Sequence, residues 1–262
     1  MDISVIIVNY KNKDKTLNCL QSLVTADWGD LSHEIIIVDN ASNDGSGEAI
    51  KAAYPQVKLI KSEKNLGMGG GNNLGAKEAK GEFILVLNPD TVIKDQAILK
   101  LHQHLSNNAE AAIAGPKLLN TDGSLQYSCL RFPKVYTPVL RRTFFGGWAS
   151  KHLDLFLMKD YDHEQPRQVD WLMGSCLLIK RDVLDKNGKI FDEKYFMYFE
   201  DTDLCRRIKQ EHGRQVVYYP ESIVIHDHAR QSAGKPWYIA PFVDSLTREH
   251  LKSWVKYFLP FK

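Results

Sequence analysis

"FILVLNPDTVI", residues 83–93, is the stretch whose reading decides the fold. Phe83, Ile84, Leu85, Val86 and Leu87 form a continuous apolar run of the kind a strand buried on both faces requires. The run ends on Asn88, Pro89 and Asp90, and apolar character returns at Val92 and Ile93. Pro89 fixes φ and donates no N–H, so it makes a stiff bend that could aim Asp90 out of the sheet. A simple turn accounts for such a polar tip about as well as a ligand site does. The surrounding elements have to decide.

Outward from this strand, strand and helix patterns alternate over residues 1–115. Ile3 to Val8 is a β-branched apolar run, and residues 13–25 have helical spacing through Leu17, Leu20 and Leu23. Ile35 to Val38 is a second strand, and "NASNDGS" supplies the turn and helix start for a short helix reaching Ala53. Val57 to Ile60 is a third strand, followed by a glycine-rich loop and a helix from Gly71 to Lys80. Residues 95–106 read as helix and Ala111 to Ala114 as a fifth strand. The alternation predicts an α/β fold, a mainly parallel sheet with helices on both faces.

The pattern breaks over residues 116–170, which hold Pro116, Pro133, Pro138, Pro166 and a turn at Asp122–Gly123. This stretch reads as a smaller subdomain. "WLMGSCLLIKRDVL" (171–184) then gives a strand running into a short helix. "FEDTDLCRRIKQEHG" (199–213) gives a helix closed by Gly213. "QVVYYPESIVIHDH" (215–228) gives two short strands, and the residues from Trp237 onward an amphipathic helix. The expectation is one domain over 1–262, with halves at 1–115 and 116–235 and a C-terminal helix over 236–262.

Composition narrows the field. A chain of 262 residues, 44% hydrophobic and 25% charged, has the make-up of a soluble globular protein. A net charge of +2 offers no general attraction to nucleic acid. Cys19, Cys129, Cys176 and Cys205 are scattered with no CxxC pair, which suits a reducing compartment and disfavours disulfides or zinc. "MDISVIIVNY" lacks the basic head and long apolar core of a signal peptide. No window approaches the roughly 18 apolar residues of a membrane span.

Ligands of a parallel α/β sheet bind beyond the carboxyl ends of its strands. Three expected tips, Asn9–Tyr10, Asp39–Asn40 and Asn88–Asp90, carry Asn or Asp and share one edge. Asp90 is a hard oxygen ligand suited to Mg²⁺ or Mn²⁺ shared with a substrate diphosphate, whereas Asn88 adds no charge. "NLGMGGGNNLGAKEA" (65–79) begins a dinucleotide fingerprint, but Asn72 stands where its last glycine belongs, so NAD is rejected. Its glycines would still let backbone approach a ligand, and the helix start favours anions.

"YFMYFEDTDLC" (195–205) sets Glu200, Asp201 and Asp203 in a first helical turn, where acids complement the helix dipole. Asp201 also follows Tyr195, Phe196, Tyr198 and Phe199, and a carboxylate on such a wall suits a general base. Arg207 lies one helical turn beyond Asp203 and can pair with it. His226 ends an apolar strand and His228 lies on the same face. A carboxylate with an imidazole suits Mn²⁺; His226 is the preferred ligand and His228 the reserve.

"SVIIVNYKN", "IIIVDNASNDGS", "NLGMGGGNNLGAKEAKGEFILVLNPD", "MGSCLLIKRDVL", "FDEKYFMYFEDTDLCRRIKQEHG" and "YYPESIVIHDHARQS" occur in this order over residues 3 to about 232. The set resembles family 2 inverting glycosyltransferases of the Rossmann-like GT-A fold, especially the rhamnosyltransferase-like branch that builds bacterial surface polysaccharides. The resemblance implies a nucleotide-sugar-binding first half, an acceptor-side second half and Mn²⁺ or Mg²⁺ as cofactor. It puts Asn9, Tyr10 and Asp39 on the nucleoside, Asn65 and Gly67 to Asn72 along the donor, and Asn88 in possible contact with ribose. Asp90 falls in the place of the DxD motif as metal ligand, with His226 as a further ligand. Asp201 becomes the catalytic base, and Trp171, Gly174 and Glu200 fall on the acceptor side. Asn88 departs from the pattern, because many relatives carry a second acid there.

The implied partners are a dTDP- or UDP-sugar donor, with dTDP-rhamnose as one option, and a saccharide or lipid-diphosphate-linked acceptor. A cytoplasmic location follows, with two options open for the basic, aromatic stretches at 131–151 and 253–262: an anionic membrane surface, or packing on the chain's own core or in a homodimer. Two rivals stand beside this reading. A sugar-phosphate nucleotidyltransferase would be expected to carry a glycine- and arginine-rich loop after its first strand, and "NYKNKDKT" has neither residue. A non-catalytic carbohydrate-binding protein of the same fold would not need Asp90, Asp201 and His226 together.

Overall fold

The computed structural model describes residues 1–142, 147, 149–227, 239, 242 and 244–259. Strands β1 (Ile3–Asn9), β2 (His33–Asp39), β3 (Lys58–Lys61) and β4 (Phe83–Leu87) run parallel in the order β3-β2-β1-β4. Beyond β4 the same sheet continues with β11 (Cys176–Lys180), β6 (Ala111–Leu119), β12 (Gln215–His226) and β5 (Thr91–Ile93). β11 is antiparallel to both β4 and β6, while β6 and β12 are parallel. Short strands β7 (Leu125–Gln126) and β9 (Arg167–Val169) flank β6 and β12, and β8 (Cys129–Leu130) pairs with β10 (Trp171–Leu172) separately. The fold is α/β as expected, parallel in its first half and mixed beyond β4.

Alternation along β1 feeds a core on each face. Ile3, Val5 and Ile7 pack with Leu20 and Leu23 of α1 (Lys13–Thr25), Ile50 of α2 (Ser46–Ala53) and Leu101 of α4 (Ala97–Ser106). Ile6 and Ile84 belong to the opposite face, with Leu204, Cys205 and Ile208 of α7 (Glu200–Glu211). The opening strand, β4, is buried throughout, as its unbroken apolar run requires.

Three boundaries differ from the sequence reading, each for a packing reason. Helix α3 spans Gly67–Ala76, so the glycine run is helix in place of a loop. A Cβ on Gly71 would lie 2.8 Å from Val8 Cγ1, and one on Gly75 would lie 2.5 Å from Ile6 Cγ2. The glycines let α3 lie against β1, which is a different use from approaching a ligand. Strand β6 runs through Pro116, which faces Tyr219 where the β12 register slips between Tyr219 and Ile223. A bulge tolerates the missing N–H of a proline. That slip also replaces the two expected strands over 215–228 with the single strand β12.

Between β8 and β10 lie helices α5 (Thr137–Arg142) and α6 (Ser150–Phe156). The C-terminal helix α8 spans Ser245–Phe258, and Asp244 Oδ2 accepts from Thr247 N at its start, at 2.8 Å. Its aromatics turn inward: Tyr257 packs on Phe199 at 5.2 Å and under Arg206 at 4.2 Å. Trp254 Nε1 donates to Val135 O at 2.9 Å, and Ser253 Oγ to Met197 O at 2.8 Å. In the described part of this helix these side chains pack on the chain's own core. The expected tip of the stretch at 260–262 and the helical residues expected from Trp237 lie partly outside the described residues. All four cysteines are buried free thiols. No described helix is long and apolar enough to cross a membrane.

Candidate active site

The parallel register brings Asn9 opposite Asp39 and Ile7 opposite Leu87, so the three polar tips do share one edge. An open cleft of about 880 Å³ borders it. Tyr10, Asn65, Asn72, Asn88, Asp90 and His226 line this cleft, and so do Trp171, Gly174, Glu200 and Asp201. Asn9 does not. It has no exposed surface, and its Nδ2 donates to Asp39 Oδ1 (3.3 Å), Ser42 Oγ (3.1 Å) and Ser46 Oγ (2.8 Å). Its Oδ1 accepts from Thr16 Oγ1 at 2.9 Å. Asn9 therefore positions Asp39 and has nothing left to offer a ligand. Gly67 is also spent on packing: at φ +73 its missing Cβ would lie 2.0 Å from Phe196 O.

Asn88–Asp90 carry the chain from β4 to β5, strands separated in the sheet by β11, β6 and β12. Thr91 then faces His226, and Asp227 N donates to Asp90 O at 2.9 Å. His226 Nε2 thereby comes 3.4 Å from Asp90 Oδ1. Asp90 Oδ1 and Asn88 Oδ1 are both buried without a hydrogen-bond partner among the described residues. Two such oxygens beside an imidazole fit a small hard cation that completes its shell with water and phosphate. No group of three or more His, Cys, Asp or Glu that could hold a metal gathers among the described residues. His228, the reserve ligand, lies outside them.

Glu200 and Asp201 open α7 directly after Tyr198 (φ 69) and Phe199 (φ 66), two aromatic residues in the left-handed region. Such backbone is strained and is held by its surroundings. Met68 N donates to Phe196 O at 2.9 Å, which ties this loop to α3. Asp203, also buried, accepts from Arg206 (2.8 Å), Arg207 (3.1 Å) and Tyr195 Oη (3.2 Å). The expected Asp203–Arg207 pair thus anchors the helix and takes no place in the cleft.

Burial raises the pKa of Asp201, against the opposing effect of hydrogen bonds from Gly174 N (2.8 Å) and Thr202 N (2.7 Å). The Trp171 indole lies near enough to favour the ionised form, although its Nε1 closes no hydrogen bond among the described residues. Among the described residues, Glu200 has just its own backbone N–H against this burial. Its Oε2 is buried without a hydrogen-bond partner among the described residues, and burial with the neighbouring Asp201 charge pushes the pKa up to about 8. Of the adjacent pair, Asp201 is built to carry the charge and Glu200 to keep a proton.

Tyr127, Arg141, Glu249 and His250 also line the cleft and were not legible in the sequence. Tyr127 and Arg141 come from the aperiodic 116–170 stretch. His250 is placed by α8, its ring 4.9 Å from that of Tyr198.

Residues 4–188 match the family model "Glycosyl transferase family 2". The chain belongs to glycosyl transferase family 2. It is 29% identical over 245 residues to an N-acetylglucosaminyl-diphospho-decaprenol L-rhamnosyltransferase of Mycobacterium tuberculosis, covering 89% of this chain and 78% of that protein. It is 28% identical to rhamnosyltransferase WbbL of Escherichia coli (strain K12), covering 97% of this chain and 92% of that one. Among solved structures, the mannosyltransferase PcManGT of Pyrobaculum calidifontis, in complex with GDP-Man and Mn²⁺, superposes with a TM-score of 0.61 at 16% identity. That match covers 88% of this chain and 58% of the mannosyltransferase chain, and it speaks for the fold alone. The chain is a glycosyltransferase, similar to enzymes of polysaccharide synthesis.

Proposed function

We propose that this glycosyltransferase is inverting and uses a divalent metal, moving rhamnose from dTDP-rhamnose to a saccharide on a lipid diphosphate. The observation that carries the reading is that one cleft is lined by both the Asp90–His226 pair and the Glu200–Asp201 pair. The sugar is that of the two rhamnosyltransferase relatives, and the lipid-diphosphate acceptor is that of the Mycobacterium tuberculosis relative. Asp201 takes the proton of an acceptor hydroxyl as its oxygen attacks the anomeric carbon opposite the nucleotide. The new C–O bond forms as the bond to the diphosphate breaks, and the configuration inverts. Asp90 and His226 would hold Mn²⁺ or Mg²⁺, which when bound neutralises charge on the departing diphosphate. Tyr10 and Asn65 would flank the nucleoside, with Asp39 accepting from the base N–H. Trp171 and the Tyr198–Phe199 turn would flank the acceptor.

Exposed Val135, Tyr136 and Val139 beside Lys134 suit contact with an anionic membrane surface near that acceptor. Flotation with anionic liposomes at low salt checks this contact, and absence of binding removes it. The donor reading is tested by thermal shift with dTDP-rhamnose, UDP-glucose and GDP-mannose, each with and without Mn²⁺. The expected result is the largest stabilisation with dTDP-rhamnose and Mn²⁺ together. Equal shifts for all donors would remove rhamnose, and shifts indifferent to Mn²⁺ would remove the metal.

A further inference from the structure

His226 does not stand alone behind the cleft. Its Nδ1 lies 2.7 Å from Gln126 Oε1 on β7, and both residues are buried. An amide oxygen only accepts, so Nδ1 must carry the hydrogen if Gln126 holds this orientation. The hairpin between β6 and β7 fixes that orientation. Gln126 Nε2 donates to Asn120 Oδ1 at 2.9 Å, and Asn120 Nδ2 donates to Ser124 Oγ at 2.9 Å. Ser124 Oγ in turn donates to Asp122 Oδ1 at 2.6 Å. An ionised carboxylate only accepts, so the exposed end of the chain sets the direction of every bond inward.

We propose that Gln126 is a positioning residue for the divalent-cation site, holding His226 as the Nδ1–H tautomer through the polarised chain Asp122–Ser124–Asn120–Gln126. The Nε2 lone pair is then presented beside Asp90, which is the form in which a neutral imidazole ligates a metal. A partner that fixes the far nitrogen of a ligand histidine typically contributes about 10- to 100-fold in metal affinity. The proposal rests on the reading of Asp90 and His226 as the metal ligands. It adds a role for a stretch that carried no sequence signal, since "TDGSLQ" reads only as a turn.

The test measures Mn²⁺ affinity of the nucleotide-free protein by electron paramagnetic resonance of unbound Mn²⁺. Gln126→Leu should weaken Mn²⁺ binding by about 10- to 100-fold, with metal-free nucleotide binding unchanged. Gln126→Glu, which keeps an acceptor against Nδ1, should restore it. Asp90→Asn and His226→Gln should each weaken Mn²⁺ binding too. If these two weaken it and Gln126→Leu does not, the positioning role is overturned and the metal site stands. If neither of the two changes it, the metal assignment falls and the proposal with it. Long-range ¹H–¹⁵N spectra of wild-type protein labelled at histidine, assigned with His226→Gln, read the ring directly and do not depend on how Gln126→Leu folds. An Nδ1–H tautomer is expected; an Nε2–H tautomer or a doubly protonated ring overturns the proposal.

Discussion

At the ends of β1, β2 and β4 the cleft is edged by residues that a parallel register delivers. Asn9 meets Asp39 because their strands pair residue for residue, and its amide is saturated by hydroxyls from α1 and the start of α2. The wall at Tyr195–Asp201 is built differently. Two left-handed aromatic residues turn the chain, a buried acid and two arginines anchor the helix that follows, and α8 closes over the turn. The first edge is regular and neutral at its pivot. The second is strained and holds adjacent carboxylates with few donors. Parallel strands suffice to build the first edge, whereas the second wall takes strained backbone and buried charge.

Substitutions on either side sharpen this contrast. Asp203→Ala leaves Arg206 and Arg207 without their buried partner, and should destabilise the chain by about 3–5 kcal/mol in chemical denaturation. A loss below about 1 kcal/mol would mean that the second wall is not held by this acid. On the regular edge, Asn9→Ala removes one buried hub and should cost about 1–3 kcal/mol. It should also weaken nucleotide binding through a displaced Asp39, as calorimetry would measure. Unchanged affinity would detach Asp39 from the nucleoside.

A pH dependence concerns Glu200, whose pKa is raised from 4.5 to about 8 in the folded chain. Between these values the folded state keeps a proton that the unfolded state releases, so this group makes stability fall as pH rises. Above about pH 8 its contribution is level. Glu200→Gln should flatten the decline between pH 5 and 8 in a series of melting curves. An unaltered slope would show that Glu200 is not the group that keeps the proton.

The first edge was largely legible in the sequence, because apolar runs and turn residues are local signals. Asn9, Asp39 and Asn88–Asp90 were expected on one edge and are found there. Asn9 and Gly67 read as ligand contacts in the sequence because burial and close packing are tertiary facts; the first is a buried hub and the second makes room for Phe196. On the second wall the acidic run at 200–203 was visible, but not which acid anchors and which faces the cleft. Gln126, Tyr127, Arg141 and His250 reach the site through long-range pairing and helix docking, which no residue spacing announces. The inward-facing aromatics of α8 were hidden for the same reason: an amphipathic pattern does not say whether a lipid or a protein core covers it.

On the proposed function, Asp201 is the base of a displacement at a donor held elsewhere in the cleft. Its most direct test sets sugar transfer by Asp201→Asn against nucleotide binding by the same protein. Transfer should fall about 10²- to 10⁴-fold while the nucleotide Kd stays within about twofold of wild type. Transfer at the wild-type rate, or nucleotide binding lost in step with transfer, would contradict it.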